Sequence, residues 1–555
     1  MTAATSPPPG PTPASPPTGP AATAAPTTGP ATGGSPGADR PADDTETRRS
    51  VRSGVAGLIG AATSGLFGFL LAVVITRGYG TVGSGAFFAA IGVVTVATAV
   101  CTLGAETGLM WALPRRRLGA RGDAARVLPV ALAPPLLVAV AVAVGGALAA
   151  DALAPRLLGG AGVDGTALLA VSFAAVPVVV AMTLLLAALR CVRPIRAYVG
   201  VQFFLLPVAR PVLVGAAALA GGGLLAGMTG WLVPAALALL ACLTLVAGPL
   251  GVGRGAALRP GRGDWSAFWR FALPRAASAA IDAGNMWVGV LLTSVLAGPA
   301  DAGVFGAVGR YILAGQLAMQ GLRVAVSPQL SRLLGRGERA AAAAVHRQLT
   351  TWGLVLSWPV YLLLAVFGLA FLQLFGPEFT AGAPAMTVLA LAMLVNTGVG
   401  NVQSMLLMGG RSGLHLAATL AGLLVTVSLG LWLIPGHGAT GAAVAWAVGI
   451  ATENLTAVAC ARVVVGQPLV DAAMLRAAAA TVVGVGAAAA VGVLAGGRGI
   501  GGLVVAVGVL AAGCVGLLTL PRVRRRIRVT MVQVRGGQGA APAAAGPVPE
   551  EPKGR

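Results

Sequence analysis

Charged residues are scarce in this sequence, and so are the residue types that build metal sites and disulfide frameworks. Charged residues make up 10% of the 555 positions, and there are five cysteines and three histidines. A water-soluble domain carries about 25% charged residues because its surface must be hydrated. The cysteines and histidines are scattered, with no CxxC pair among them. The composition therefore argues against a soluble protein, and the sequence predicts no metal site and no cofactor.

Long uncharged stretches are abundant instead. Hydrophobic residues make up 56% of the chain, and the mean hydropathy is +0.85. An apolar helix of about 20 residues crosses the ~30 Å hydrocarbon layer and satisfies its own backbone hydrogen bonds, which lipid cannot do. We therefore predict an all-α, polytopic membrane protein with about fourteen transmembrane helices. The predicted spans are 54–76, 84–112, 127–149, 166–189, 199–220, 228–249, 272–296, 303–327, 351–375, 385–408, 413–434, 441–462, 474–495 and 499–520.

Arginine placement predicts how these spans are oriented. Twenty arginines fall in the even-numbered connections, whereas three, Arg77, Arg156 and Arg498, fall in the odd-numbered ones. Because basic loops stay in the cytoplasm, both termini are predicted there, in a bacterial-type cytoplasmic membrane. The same bias accounts for the net charge of +21 without a nucleic-acid partner. Residues 265–271 are predicted to form an interfacial amphipathic helix, and residues 335–349 a polar cytoplasmic helix.

A repeat at a constant offset of 218 residues divides the chain. The segment GTVGSGAFFAAIG at 80–92 aligns with GPADAGVFGAVGR at 298–310, and both join an odd-numbered span to an even-numbered one. Six spans separate the two copies, so the halves insert in the same direction, related by a pseudo-two-fold along the membrane normal. The predicted organisation is a disordered cytoplasmic tail at 1–50, a six-helix bundle at 51–250, a cytoplasmic linker with the interfacial helix at 251–270, a second six-helix bundle at 271–466, two accessory helices at 467–521 and a basic, disordered cytoplasmic tail at 522–555.

Four stretches follow, in order and spacing, the pattern of a known transporter superfamily. They are ITRGYGTVGSGAFFAAIGVVTVATAVCTLGAETGLMWALPRRR at 75–117, WRFALPRAASAAIDAGNMWVGVLLTSVLAGPADAGVFGAVGRYILAG at 269–315 with VSPQLSRLLGRGE at 326–338, LFGPEFTAGAPAMTVLALAMLVNTGVGNVQSMLLMGGRSGLH at 374–415, and LWLIPGHGATGAAVAWAVG at 431–449. The chain resembles the multidrug/oligosaccharidyl-lipid/polysaccharide (MOP) exporter superfamily, in particular its polysaccharide-transporter branch of O-antigen-type flippases.

The resemblance implies two six-helix bundles that face each other across a central cavity, with two accessory helices beside them. It implies a carrier and not an enzyme, one that moves a lipid-linked oligosaccharide or polysaccharide precursor across the membrane by alternating access. The implied partners are the lipid-linked glycan, membrane lipids and glycan assembly machinery.

Polar residues inside the predicted spans are the candidates for the substrate path, because a charge at the bilayer centre costs ~3 kcal/mol or more. An arginine fork suits an anionic diphosphate-linked headgroup, side-chain amides suit sugars, and buried carboxylates suit a coupling ion or a charge pair. The arginines and amides are Arg210, Arg310, Asn285, Asn396, Asn401 and Gln403, and the carboxylates are Glu106, Asp282 and Glu453. A purely structural role stays open for each, since amides also join helices and carboxylates also pair with arginines.

Three other functions remain open at this point. A multidrug or small-solute cation antiporter would use the same scaffold, although such exporters usually have twelve spans. A membrane enzyme would need clustered acids or histidines at the surface, whereas the longest predicted outer loop, 150–165, offers only Asp151 and Asp164. A scaffold without transport would not need charges inside its spans.

Overall fold

Helices make up nearly all of the computed structural model, and no strand occurs in the residues that it describes. Those residues are 41–116, 118–119, 123–159, 163–252, 258–316, 319, 326, 330, 332–400, 402–408, 411–466 and 470–519. Ten of the described helices are long and apolar enough to cross a membrane. The predicted class, an all-α polytopic membrane protein, is therefore confirmed.

Seventeen α-helices follow one another along the described chain. The first half contains α1 (Pro41–Cys101), α2 (Ala105–Ala112), α3 (Val127–Leu148), α4 (Ala150–Leu157), α5 (Val163–Val192), α6 (Ile195–Val199), α7 (Leu206–Leu219) and α8 (Leu224–Leu250). The second half contains α9 (Arg262–Ala297), α10 (Pro299–Gly315), α11 (Arg339–Val366), α12 (Gly368–Leu372), α13 (Ala383–Val399), α14 (Val402–Met408) and α15 (Ser412–Val465). The chain ends with α16 (Ala472–Gly496) and α17 (Ile500–Thr519).

Two of these helices turn back on themselves at a glycine and so provide two crossings each. Helix α1 breaks at Gly80, which has φ 66° and ψ −169°, and α15 breaks at Gly438, with φ 51° and ψ −131°. Glycine tolerates a positive φ because it has no Cβ. With both bent helices counted twice and the shorter apolar α17 added, the described helices account for thirteen of the fourteen predicted crossings, and α10 lies where the eighth is predicted.

The predicted repeat is visible in the backbone. Gly298, the counterpart of Gly80, has a similar conformation, with φ 92° and ψ 171°. Five residues after each of these turns there is a close contact: a Cβ on Gly85 would collide with the carbonyl oxygen of Pro299, and one on Gly303 with that of Thr81. Thr81 and Pro299 are themselves one offset apart. The contact is therefore reciprocal, as a two-fold axis between the halves requires.

Two predicted surface helices are continuous with the spans beside them. Residues 265–271 belong to α9, which runs without interruption from Arg262 to Ala297. The later part of segment 335–349 likewise belongs to α11, which begins at Arg339. Helix α1 begins at Pro41, inside the predicted tail, while residues 1–40 and 520–555 lie outside the described residues. From Arg52 onward the chain forms one compact unit, so the boundaries between bundles stay a prediction.

Three local irregularities were not predicted. The second span is interrupted between α1 and α2, where Leu103 and Gly104 have φ values of 49° and 73°. The tenth is interrupted at Gly400, with φ 75°. A π-helical turn, Gly200–Leu205, precedes α7. Pro207 explains this turn, because a proline ring clashes with the carbonyl four residues earlier, and a widened turn relieves the clash.

Helix packing follows the same plan in both halves. In the first half α5 lies between α3 and α8, and in the second its counterpart α13 lies between α11 and α15. The halves meet where α2, α3 and α4 contact α9. Helix α16 packs on α17 and on α11, so the terminal pair attaches to the second half. Each half can therefore enclose a cavity of its own.

Candidate functional site

A cavity of about 280 Å³ lies among helices of the second half. Residues of α9, α10, α13, α14 and α15 line it, and six of the predicted site residues are among them: Asp282, Asn285, Arg310, Asn396, Gln403 and Glu453. Asn401 lies outside the described residues. We call this space the second-half cavity.

Arg310 is the only arginine that lines the second-half cavity among the described residues. Its guanidinium carbon lies 5.3 Å from the ring centre of Phe88 and 5.3 Å from that of Trp287. Contact with aromatic faces stabilises a desolvated cation without using its hydrogen-bond donors. No carboxylate forms an ion pair with Arg310 in the described part of the chain. Its N–H groups are thus available to a ligand in the cavity.

Glu453 is the centre of a polar cluster that also lines the second-half cavity. The side-chain amide of Gln403 donates a hydrogen bond to Glu453 Oε1 at 2.8 Å, and the hydroxyl of Thr419 donates to the same atom at 3.1 Å. Asp282 and His415 lie close enough to act on its charge. His415 Nδ1 is buried without a hydrogen-bond partner among the described residues. Two carboxylates and an imidazole therefore lie close together inside the second half.

Two amides of the second-half cavity are hydrogen-bonded to each other, whereas another contacts a weak acceptor. Asn454 is 3% exposed and donates to Asn396 Oδ1 at 3.0 Å, so this pair joins α13 to α15. Gln316 makes a 3.3 Å contact with the sulfur of Met393, which is a weak acceptor. Asn285 faces the cavity beside Glu453. Asn396 therefore has the structural role that amides can have, because it joins two helices. Gln316 can still form hydrogen bonds with a ligand.

Aromatic walls complete the second-half cavity, and they were not among the predicted site residues. Trp287 and Trp446 line it, and Trp446 makes an edge contact with Phe305 at 6.1 Å between ring centres. The indole N–H of Trp287 is buried without a partner among the described residues. A signal existed in the sequence: Trp446, Ile450 and Glu453 follow one another at helical spacing, as residues on one face do.

Arg210 and Glu106 line a different cavity, of about 300 Å³, among helices of the first half. We call it the first-half cavity. Arg190, Tyr198 and Gln202 line it too, none of which was predicted. Tyr198, Gln202 and Arg210 recur at multiples of four residues, which places them near one face of α6 to α7. The two predicted headgroup arginines are therefore in separate cavities.

Direct contacts join the halves on the face that carries the turns at Gly80 and Gly298, which we call the hairpin face. The Arg77 guanidinium donates to the carbonyls of Gln373 and Leu374, both at 2.8 Å. The Ser294 hydroxyl donates to the Leu157 carbonyl at 2.5 Å. These bonds cross between the first and second halves and hold them together on this face.

An ion-pair cluster joins the halves on the other face, where the arginine-rich loop after α2 meets the start of α9. Arg116 binds Asp123 at 2.9 Å and Asp264 at 2.6 Å. Trp111 stacks on Phe271, with ring centres 4.8 Å apart and planes at 16°. This arginine-rich face is therefore closed between α2 and α9.

Solved structures with the same fold are known, although sequence comparison gives no relatives. No protein-family model matches the sequence, and no curated protein matches it. A lipid II flippase, MurJ, in an inward closed conformation is 11% identical, with a TM-score of 0.67 over 82% of this chain and 96% of that one.

Two further structures extend the comparison. An inward-facing multidrug resistance MATE family transporter of the MOP superfamily is 16% identical, with a TM-score of 0.59 over 74% of this chain and 96% of that one. A MOP superfamily transporter from Pyrococcus furiosus is 15% identical, with a TM-score of 0.52 over 75% of this chain and 95% of that one. This chain therefore has the fold that MurJ and the MATE transporters of the MOP superfamily share.

Proposed function

We propose that this protein is a flippase that carries a lipid-linked oligosaccharide or polysaccharide precursor across the cytoplasmic membrane by alternating access. The second-half cavity is the observation that carries the proposal. It combines one arginine without a carboxylate partner, aromatic walls and several amides, inside a bundle whose surroundings are lipid. A soluble ion or a small apolar drug would not require this combination, whereas a glycan attached to a charged lipid would.

The arginine supplies hydrogen-bond donors for the polar headgroup. Acceptor oxygens of the headgroup can take parallel hydrogen bonds from a guanidinium fork, and such bonds strengthen where water is excluded. Arg310 lies on α10 about 17 Å from Pro299, at 1.5 Å per residue along the helix, which is about half of a ~30 Å membrane. A cation at this depth is costly unless it binds an anion or an aromatic ring, and Arg310 has only rings.

Amides and indoles supply recognition of the sugars. Hydroxyl groups of a glycan both donate and accept hydrogen bonds, and the side chains of Asn285, Gln316 and Gln403 offer both functions. Trp287 and Trp446 provide flat apolar surfaces for the C–H faces of sugar rings. The arrangement suits a glycan more than it suits a lipid tail.

The carboxylates supply a means of coupling transport to an ion gradient. Asp282 and Glu453 line the same cavity, and Asp282 lies close enough to act on the charge of Glu453. Two like charges in a medium of low polarity repel strongly, so a cation or proton shared between them stabilises the site. Binding and release of that ion would then alternate with binding and release of the glycan. MurJ, which shares the fold, is named as a lipid II flippase.

A leaflet-exchange assay tests the proposal. Proteoliposomes receive a fluorescent polyprenyl diphosphate oligosaccharide, and a membrane-impermeant lectin then reports how much has reached the outer leaflet. We expect the wild-type protein to accelerate exchange, and Arg310→Gln to slow it about tenfold, ~1.4 kcal/mol of lost interaction. Arg498→Gln, an exposed arginine between α16 and α17, is the matched control. Wild-type exchange no faster than in empty vesicles would refute the function.

A cation-coupled drug antiporter is the second candidate, because the same cavity pairs carboxylates with aromatic walls and because MATE transporters share the fold. The two functions differ in what Arg310 does. A cationic drug would be repelled by this arginine, so Arg310→Gln would improve drug export while it impairs glycan export. Export of a fluorescent cationic dye from the same proteoliposomes separates the two.

A further inference from the structure

The two cavities have opposite charge character. Arg190 and Arg210 line the first-half cavity together with one carboxylate, Glu106. The second-half cavity has the reverse composition, two carboxylates and one arginine. The 218-residue repeat therefore does not extend to the side chains of the cavities. In surroundings of low polarity this difference favours an anion in the first half and neutral or cationic groups in the second.

Arg210 is held in a position that leaves its donors free. Its guanidinium carbon lies 4.2 Å from the ring centre of Trp231, on α8. Its Nε atom is buried and has no hydrogen-bond partner among the described residues. No carboxylate forms an ion pair with it in the part of the chain that the structure describes. A buried N–H group without a partner costs free energy that a ligand would recover.

The backbone near Arg210 also departs from regular geometry. The π-helical turn Gly200–Leu205 lies directly before α7 and carries Gln202 into the cavity wall. Such turns occur mostly as single insertions in α-helices and are frequent at functional sites. Arg190 covers the ring of Tyr198 at 5.5 Å on another part of the wall. The cavity thus contains two arginines that are positioned by aromatic rings.

One membrane span borders both cavities. Phe88, in the second part of α1, contacts Arg310 of the second-half cavity. Further along the same span, beyond the interruption at Leu103 and Gly104, Glu106 of α2 lines the first-half cavity. The two cavities therefore lie against the same span, on either side of its interruption.

We propose that the first-half cavity is an anion site of the diphosphate class, and that it binds the charged linkage of the substrate whose sugars occupy the second-half cavity. The proposal rests on the proposed function and assigns the two parts of one headgroup to two places. Arg190 and Arg210 supply the donors, and the amides and indoles around Arg310 bind the glycan.

A cysteine-protection experiment locates the two ligand parts. The five native cysteines are replaced by serine, and Thr183→Cys or Leu313→Cys places one thiol in the wall of the first-half or second-half cavity. The full-length protein in nanodiscs is treated with a thiosulfonate reagent. Farnesyl diphosphate should slow labelling of Thr183→Cys about tenfold and of Leu313→Cys less than about twofold. Octyl glucoside, an uncharged glycoside, should show the reverse preference.

Charge variants test which group is responsible. In the Thr183→Cys background, Arg210→Gln should abolish protection by farnesyl diphosphate, and Arg210→Lys should retain much of it because the charge remains. Arg193→Gln is the matched control, since Arg193 lies near Arg190 in sequence but donates to the Leu245 carbonyl at 3.0 Å, outside the cavity. Inorganic pyrophosphate is a second probe: protection only by the farnesyl compound identifies a lipid, and equal protection by both identifies a free anion at the same site.

Equal protection of both cysteines, or protection that survives Arg210→Gln, would overturn the proposal. If neither cysteine reacts, the test is a binding measurement with tritiated farnesyl diphosphate on the purified wild-type and Arg210→Gln proteins. Equal affinities of the two proteins would refute the proposal. Failure of the proposed function gives a different result. In that case the lectin assay shows no glycan exchange, whether or not Thr183→Cys is protected.

Discussion

At the scale of single residues, the membrane interior makes every polar side chain informative. The predicted residues Asp282, Asn285, Arg310 and Glu453 converge on one cavity, although they are distributed over three helices. Their convergence could be anticipated, because each would be costly if it faced lipid. The residues around them could not be anticipated from the sequence, because the contacts of Arg310 with Phe88 and Trp287 depend on how α1, α9 and α10 pack.

Glu453→Gln tests the coupling role of the carboxylates. The glutamine can still accept hydrogen bonds from Gln403 and Thr419, so the fold should remain. The negative charge at position 453, which would bind the coupling ion together with Asp282, is lost. We expect glycan exchange in proteoliposomes to lose its response to an imposed sodium or proton gradient and to fall about tenfold under a gradient, ~1.4 kcal/mol.

The control for this substitution is Glu338→Gln, at an exposed carboxylate before α11. It should retain the wild-type response to the gradient. A Glu453→Gln protein whose exchange rate still rises with the imposed gradient would show that this carboxylate does not carry the coupling ion.

At the scale of helices, the glycine turns and the repeat between them were predictable, whereas the interruptions were not. Gly80 and Gly298 stand at matching places in two similar sequences, so their common conformation follows from the repeat. The interruption at Leu103 and Gly104 has no such signal. It depends on the approach of α2 to α9, where Gly104 lies against the Ala272 backbone. Here the packing of two helices against each other outweighs the preference of this segment for an uninterrupted helix.

Gly85→Leu tests the contact between the halves on the hairpin face. A side chain at Gly85 meets the Pro299 carbonyl, which is backbone and cannot rotate away, so the halves must separate there. Overpacking of this kind costs about 1–3 kcal/mol. We expect a lower melting temperature, and faster labelling of a cysteine placed at Val304, which is buried beside the contact.

Gly68→Leu is the matched control, because this glycine belongs to the same helix and has open space around its Cβ position. Its melting temperature and the labelling rate at position 304 should equal those of wild type. Equal labelling in the Gly85→Leu protein would mean that the hairpin face is not closed by this contact.

At the scale of the whole molecule, the chain is closed by different chemistry on its two faces. Backbone contacts and hydrogen bonds to carbonyls join the halves on the hairpin face, whereas the other face is joined by ion pairs around Arg116 and one aromatic stack. Partly exposed ion pairs contribute about 0–1 kcal/mol each. The arginine-rich face should therefore open at lower cost than the hairpin face.

Arg116→Ala tests this difference. Spin labels at Leu118→Cys and Ser266→Cys, two exposed positions on either side of the ion-pair cluster, report the distance between the halves. We expect Arg116→Ala to increase the population with long distances about two- to fivefold, the equivalent of ~0.4–1 kcal/mol. The exchanged pair Arg116→Asp with Asp264→Arg should reverse part of this change, because a contact between charges is restored.

Arg270→Ala removes an exposed arginine from the same helix as Asp264 and should leave the distances unchanged. If Arg116→Ala behaves in the same way, the ion pairs do not hold this face closed. The sequence predicted arginines on this face but could not predict which of them joins the two halves, because Arg116 and Asp264 are separated by 148 residues.

The reciprocal contact of Gly85 and Gly303 has the geometry of a homodimer interface enclosed in one chain. In a homodimer each substitution appears on both sides of the axis at once, and the two subunits must carry the same residues. A chain that encodes both halves has no such restriction. Each side of its axis can change by itself, which is how arginines predominate in one cavity and carboxylates in the other while the backbone between them stays symmetric. Joining the two halves in one polypeptide thus allows a symmetric frame to bind an asymmetric molecule.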